Sequence, residues 1–411
     1  MRNQCSHSGN HAIPWRFDPL SLVPAALILA CALLYPARAQ AQANTSRFLL
    51  GADISFLNTP PVSAPGVASD QQPASDVVWQ PLSMYQEDGK PSNELAILRR
   101  HGWNAFRVRV FVSPVRNAPD DVLENAIPLA RKIKDSGAVL ILDLHFSDTW
   151  ADPQHQEIPV AWRGMNIQAL ARQWNSYACY VVKAMKEAGA MPDIVQIGNE
   201  ITVGTVWPLA QLQLPASNPH TPPQSDDSAK QWKNLALLLK AGIRGVETGA
   251  GNTPPRIAIH IDQGGHWDNT KWFFDHLNAA HIHFDIIAES FYPPWGHGTL
   301  DDLWMNMQYC AQRYPGKQFL VMETGYTPSH SSNNNDMLWP VTPEGRLQFM
   351  VDLVNTVRKT PNGLGVVYWA PERDLWNSDG TPGQAVFTLD YLNVLTSHPA
   401  SHVPIATEAK P

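Results

Sequence analysis

Asp193-Ile194-Val195-Gln196-Ile197-Gly198-Asn199-Glu200 is a β-branched apolar run that ends in Asn-Glu. A carboxylate at the end of a buried strand is poorly placed for stability. It is well placed for chemistry if the strand end opens into a cleft. Working outward, the same unit recurs on both sides. Upstream, Gly51–Phe56 reads as a first strand, Asn104–Phe111 as a second and Val139–His145 as a third. Downstream, strands are expected at Arg256–Asp262, Phe284–Tyr292, Gln318–Glu323 and Gly363–Trp369, with Ile194–Glu200 the fourth of eight. Helices are expected between them at Asn93–His101, Asp121–Ser136, Asn166–Ala188, Ser228–Thr248, Lys271–Ala280, Leu300–Tyr314 and Thr342–Lys359, with a last one at Ala385–Leu395. Strict βα alternation implies a parallel sheet. Eight units imply an α/β fold closed as a (β/α)8 TIM barrel, a single catalytic domain with long βα loops. The rival, an open doubly wound sheet, would carry a Gly-rich phosphate turn after the first strand; Gly51-Ala52-Asp53 is not one.

Composition narrows the function. The net charge is −7, 16% of residues are charged and no Lys/Arg cluster occurs, which argues against a nucleic-acid partner. Fifteen Trp suit either core packing or stacking against sugar rings. Arg2 and Arg16 precede an apolar run, Leu20–Tyr35, followed by Ala37-Arg38-Ala39 and Ala39-Gln40-Ala41. This reads as a signal peptide and leader over 1–41, with cleavage at an A-x-A site. The run is shorter than the ~20 residues of a membrane span, so no stable membrane anchor is expected. The chain is read as a secreted or periplasmic monomer, with its catalytic domain over 44–397 and a disordered tail over 398–411. Cys179 and Cys310 are expected as two separate thiols, since disulfide geometry is demanding, and there is no CxxC.

In a barrel of this kind the carboxyl ends of the strands form the site. Here those ends carry Arg107, Arg109, His145, Asn199, Glu200, His260, Asp262, Tyr292, Glu323 and Trp369. Glu200 and Glu323 end strands four and seven, on opposite sides of the pore. Two carboxylates across a cleft suit glycosidic bond cleavage: one must be protonated to serve the leaving oxygen, the other ionised to attack the anomeric carbon or activate water. An arginine near Glu323 would hold it ionised, a drier setting would raise Glu200, and Asn199 could bond the sugar 2-hydroxyl. Of Arg107 and Arg109, one is expected to face the pore and the other to be structural. His145 suits a satisfied core histidine or a substrate contact equally. Glu289 is read as a loop or wall residue rather than a third acid. Trp150, Trp207, Trp267 and Trp295 each follow a strand end, where sugar stacking is the favoured role.

The chain resembles glycoside hydrolase family 53, the arabinogalactan endo-β-1,4-galactanases. The stretches that carry the resemblance are Gly51-Ala52-Asp53-Ile54-Ser55, Phe106-Arg107-Val108-Arg109-Val110, Asp143 through Pro153 (DLHFSDTWADP), Gln196 through Thr202 (QIGNEIT), Ile259-His260-Ile261-Asp262, Phe291-Tyr292-Pro293 with His297-Gly298-Thr299-Leu300, Glu323-Thr324-Gly325-Tyr326 and Tyr368-Trp369. The resemblance implies a retaining enzyme acting inside β-1,4-galactan, the side chain of pectin and of type I arabinogalactan. It implies Glu200 as acid/base, Glu323 as nucleophile, and Arg107, His145, Trp150, Asn199, Tyr292 and Trp369 near the cleaved sugar; Asp262 is a further substrate-binding candidate. The sequence departs from the family in a Pro/Ser-rich insertion through residue 80 and in Ala370, where relatives often have Glu. The loop after strand seven, with His330 and Asn333-Asn334-Asn335-Asp336, raises calcium as a ligand. Its composition better suits a solvated Asn/Ser loop, so no metal and no cofactor are expected. Two alternatives stay open: a related retaining barrel acting on another β-linked polysaccharide such as arabinoxylan or mannan, and an inactive carbohydrate-binding barrel.

Overall fold

Side-chain alternation along the strands decides what fills the pore, and the computed structural model of the chain shows that alternation over residues 48–58, 84–114, 121–214, 226–326 and 338–397. The leader 1–41, most of the insertion through residue 80, the His330 and Asn333–Asp336 loop and the tail from 398 lie outside the described residues. The barrel strands are β1 (Leu49–Asp53), β2 (Ala105–Val110), β3 (Val139–Leu144), β4 (Ile194–Ile197), β5 (Arg256–Ile261), β6 (Ile286–Phe291), β7 (Gln318–Thr324) and β8 (Gly363–Trp369). Each pairs in parallel with its neighbours and β1 closes on β8, giving the (β/α)8 barrel expected from the alternation.

The pore floor is small and aliphatic, with Leu49, Ala105, Ile141, Ile194, Ala258, Ile286 and Leu320 packed together. A second, larger apolar layer lies between strands and helices and includes Phe106, Val108, Leu142, Val195 and Ile259. Period-two alternation therefore sends Ala105, Arg107 and Arg109 to one face and Phe106, Val108 and Val110 to the other. Both arginines enter the pore side; the expectation that only one would do so is corrected by this parity.

Among the described residues, eight helices cover the strands: α1 (Glu94–Arg100), α2 (Leu123–Asp135), α3 (Ile167–Glu187), α4 (Asp226–Ala250), α5 (Trp267–Ala279), α6 (Leu300–Arg313), α7 (Pro343–Arg358) and α8 (Thr388–Ser397). Their starts follow local chemistry. Asn93, Asn166 and Thr342 each accept a hydrogen bond from a first-turn backbone N–H, and Thr299 forms a capping box with Asp302. α5 begins four residues earlier than the expected Lys271. On α4, Gly245 and Gly249 let α3 approach closely: a Cβ at these positions would lie 2.3 Å from the Asn175 carbonyl oxygen and 2.6 Å from that of Cys179. No disulfide joins Cys179 to Cys310. Among the described residues no helix is long and apolar enough to cross a membrane.

Two departures from regular strand geometry shape the site. β4 ends at Ile197, three residues before the expected Glu200, because Gly198 turns the chain with φ +78°. Glu200 itself adopts φ +46°, a left-handed conformation uncommon for a residue with a Cβ. In β7, Phe319 and Val321 face the helices while Leu320 and Met322 face the pore, so strict alternation would turn Glu323 outward. Instead the register with β6 slips by one residue, from Glu289 opposite Val321 to Ser290 opposite Glu323. The bulge re-aims Glu323 into the pore.

Candidate active site

Arg107 is the hub of the pore mouth. Its Nη1 donates to Glu323 Oε1 at 2.6 Å and to Asp53 Oδ2 at 3.0 Å. Nη2 donates to Asp143 Oδ2 at 2.6 Å and Asn199 Oδ1 at 2.7 Å, and Nε to Gln196 Oε1 at 3.1 Å. The five N–H bonds of a guanidinium thus meet five oxygens. Burial opposes the charge, but Asp143, Glu323 and Asp53 around it raise the Arg107 pKa above the usual arginine value. Arg109 is the structural member of the pair. It bonds Asp121 at 2.6 Å and reaches Asp53 at 3.4 Å, and its guanidinium lies 4.1 Å from the Trp150 ring centroid.

The two glutamates differ in surroundings. Glu323 is 6% exposed, and besides Arg107 it accepts a 3.1 Å hydrogen bond from the Tyr292 hydroxyl. Burial raises its pKa, and the Arg107 guanidinium draws it back. Glu200 is partly exposed to the cleft, and its Oε1 lies 2.5 Å from Ser290 Oγ. Burial first, then the charges of Glu323 and Asp262, push the Glu200 pKa well above the usual carboxyl range. One carboxyl is therefore held by a cation and a phenol, while the other faces carboxylates and a hydroxyl. Such unequal surroundings push the two carboxyl pKa values apart.

The remaining expected residues fall around this pair. Asn199 Oδ1 is taken by Arg107, Gln196 and His260, while Nδ2 donates one hydrogen to the Ala151 carbonyl and has a second to offer. His145 is buried with both ring nitrogens engaged: Nδ1 accepts from Ala151 N–H at 3.2 Å, leaving Nε2–H to donate to Asp143 at 2.9 Å. It braces Asp143, which braces Arg107. Asp262 accepts from the Thr202 hydroxyl. Trp150 and Trp369 meet edge to face at 6.2 Å, with Arg373 over the Trp369 ring at 4.9 Å. Tyr292 stacks on the half-exposed Trp295 at 4.4 Å. Tyr292, Trp295 and Trp369, with Arg373 and Asp374, line an open hollow. Trp267 instead packs against Tyr309 of α6, and Trp207 donates to the Val203 carbonyl. Glu289 is a strand residue on the outer face of β6, bonded to Thr270 and Asn306.

Sequence reading missed Asp53, Asp143, Gln196 and Ser290. A usable signal existed: each is a polar residue at inward parity, and Asp143 stands two residues before His145 in the otherwise apolar Val139–Leu144. Among the described residues, no group of three or more His, Cys, Asp or Glu is placed to hold a metal ion.

Comparison with known proteins agrees with this geometry. The family model described as "Glycosyl hydrolase family 53" matches residues 49–390. An uncharacterized protein of Niallia circulans is 33% identical, over 80% of this chain and 86% of its own. The arabinogalactan endo-β-1,4-galactanase of Humicola insolens is 32% identical, over 67% of this chain and 80% of its own. A solved structure of fungal β-1,4-galactanases superimposes with a TM-score of 0.65 at 29% identity, covering 75% of this chain and 94% of that one. A match spanning every barrel strand, over a pore mouth with two environmentally distinct glutamates, settles the assignment: the chain is a glycoside hydrolase belonging to glycosyl hydrolase family 53.

Proposed function

We propose that this enzyme cleaves internal β-1,4-galactosidic bonds of galactan and type I arabinogalactan with retention of configuration. The observation that carries the reading is the unequal pair, Glu323 gripped by Arg107 and Tyr292 and Glu200 set among carboxylates. Glu323 attacks the anomeric carbon and forms a glycosyl-enzyme. Glu200 gives its proton to the leaving sugar oxygen and then, ionised, takes a proton from the incoming water. The second amide hydrogen of Asn199 serves the sugar 2-hydroxyl. Trp150, Trp295 and Trp369 offer ring faces for stacking, and Asp262 is a polar contact beside the acid. The chemistry uses the chain's own side chains and calls for no cofactor. The Leu20–Tyr35 run with its A-x-A motifs supports export to the periplasm or medium, where pectin side chains are met.

Purified protein incubated with galactan, xylan and mannan should release reducing ends from galactan alone. Proton NMR of the first products should show the β-anomer before mutarotation. Release from xylan or mannan but not galactan would sink the substrate assignment, and an initial α-anomer would sink the retaining mechanism. Tyr292→Phe removes a hydrogen bond to an ionised group, a loss of roughly 1.5–3 kcal/mol and so about 10- to 100-fold in kcat/KM. An unchanged kcat/KM would show that the phenol does not serve Glu323 during the reaction.

A further inference from the structure

We propose that His260 and Ser290 form a relay that senses the protonation state of Glu200: His260 captures the Ser290 hydroxyl hydrogen, so that Glu200 is satisfied only while it keeps its own proton. The inference rests on Glu200 being the proton donor of the proposed reaction.

The direction of every hydrogen bond in the relay follows from Arg107, which can only donate. Arg107 Nη2 points at the Asn199 side chain at 2.7 Å, so the atom it meets is the carbonyl oxygen, and Nδ2 turns to the Ala151 carbonyl at 2.8 Å. That oxygen also faces His260 Nδ1 at 2.8 Å, and an oxygen that only accepts requires His260 Nδ1 to carry a hydrogen. Burial and the nearby Arg107 charge push the His260 pKa well below its ordinary value. The ring is therefore neutral, and Nε2 is a bare acceptor. Its partner is Ser290 Oγ at 3.0 Å, which must donate its one hydrogen there. The same Oγ lies 2.5 Å from Glu200 Oε1, and with its hydrogen committed it can only accept. The donor in that contact is then the Glu200 carboxylic acid.

Once Glu200 gives its proton away, Ser290 must turn to donate to the carboxylate, and His260 Nε2 loses its donor. Protonating the ring instead is opposed by burial and Arg107. The relay thus places a penalty on the ionised form and favours return of the proton, as an acid that must be reloaded each turnover requires. Other charged or titratable groups face the same atoms. Glu323, Asp262, Asp152 and Tyr292 surround Glu200, Asp143 and His145 lie near His260, and His297 bonds the Ser290 carbonyl. Their charges set the background on which the relay acts, so its test must isolate Ser290 and His260 from them.

His260→Phe preserves an aromatic ring but frees the Ser290 hydrogen for Glu200. The Glu200 titration is read in two ways: the infrared band of its protonated carboxyl, assigned by its disappearance in Glu200→Gln, and the alkaline limb of kcat/KM. Both are expected to move to lower pH by about one unit, the size of one unmade buried hydrogen bond. In a Ser290→Ala background, His260→Phe should cause no such displacement. An unmoved titration in His260→Phe, or an equal displacement with and without Ser290, would overturn the relay. Nitrogen-15 spectra of the wild-type imidazoles provide a check that needs no substitution there. His260 should be the Nδ1–H tautomer, with its Nε2 signal shifting at the Glu200 midpoint; an Nε2–H tautomer would refute the assignment. The infrared and nitrogen readouts need no substrate. Their failure would leave galactan hydrolysis standing, and failure on galactan would leave them intact.

Discussion

Glu323→Ala is expected to reduce galactan hydrolysis by roughly 10⁴- to 10⁶-fold, the scale seen when a covalent nucleophile is removed. Galactan affinity should persist, because the aromatic walls formed by Trp150, Trp295 and Trp369 are untouched. The fold should persist as well. Arg107 keeps Asp53, Asp143, Asn199 and Gln196 as acceptors after Glu323 is gone. The sign of the stability change can be argued further. Glu323 has a raised pKa in the folded protein, so above the ordinary carboxyl range its ionised form weakens folding. Its removal should leave Tm at pH 7 equal or higher, the usual trade between function and stability. Azide supplied to the variant should restore turnover on a substrate with a good leaving group and give the α-galactosyl azide. Near-wild-type turnover, or the β-azide, would exclude Glu323 as nucleophile.

Arg107→Met should produce the largest loss of stability. The arginine is 1% exposed and sits against Asp53, Asp143 and Glu323. Removing one partner of a buried ion cluster costs about 3–5 kcal/mol, because the remaining charges are left without compensation. In the wild type, burial acts to raise the Asp143 pKa, but the Arg107 charge holds it below the usual range. A depressed carboxyl pKa contributes stability that is present above the unfolded value and lost as pH falls. Without Arg107, burial raises Asp143 above its unfolded value and Glu323, already raised, rises further, so the folded state binds more protons and stability then falls as pH rises. The gap between wild type and variant should therefore widen between pH 4 and pH 7 in denaturant unfolding. An equal gap at both pH values would show that lost packing, not uncompensated charge, is the cause. Activity should report the same change: the acidic limb of kcat/KM, set by the group that must be ionised, should move to higher pH.

The relation of sequence to structure is clearest at particular residues. Strand and helix alternation placed all eight barrel strands, because each strand is an apolar run and several helices carry their own caps, such as Asn166 and Thr342. Arg107, Asn199, Glu200, Tyr292 and Glu323 were readable as a group, since polar residues at the carboxyl ends of buried strands have few structural uses. Two things were not readable. Alternation in β7 would have turned Glu323 away from the pore, and the register slip opposite Glu289 and Ser290 that corrects it depends on pairing with β6. The left-handed turn at Glu200 follows Gly198, yet its value lies in where it aims the carboxyl relative to Ser290 on another strand.

By itself, then, the sequence determined the barrel, the strand ends that form its mouth and the residue types gathered there, because hydrophobic periodicity and capping are local properties. Only the tertiary structure decided how differently the two glutamates are surrounded. That difference comes from neighbours supplied by other strands, Arg107 and Tyr292 around Glu323 and Asp262 and Ser290 around Glu200. A carboxyl group's charge state follows from the field and hydration at its oxygens, and no local stretch of chain contains either.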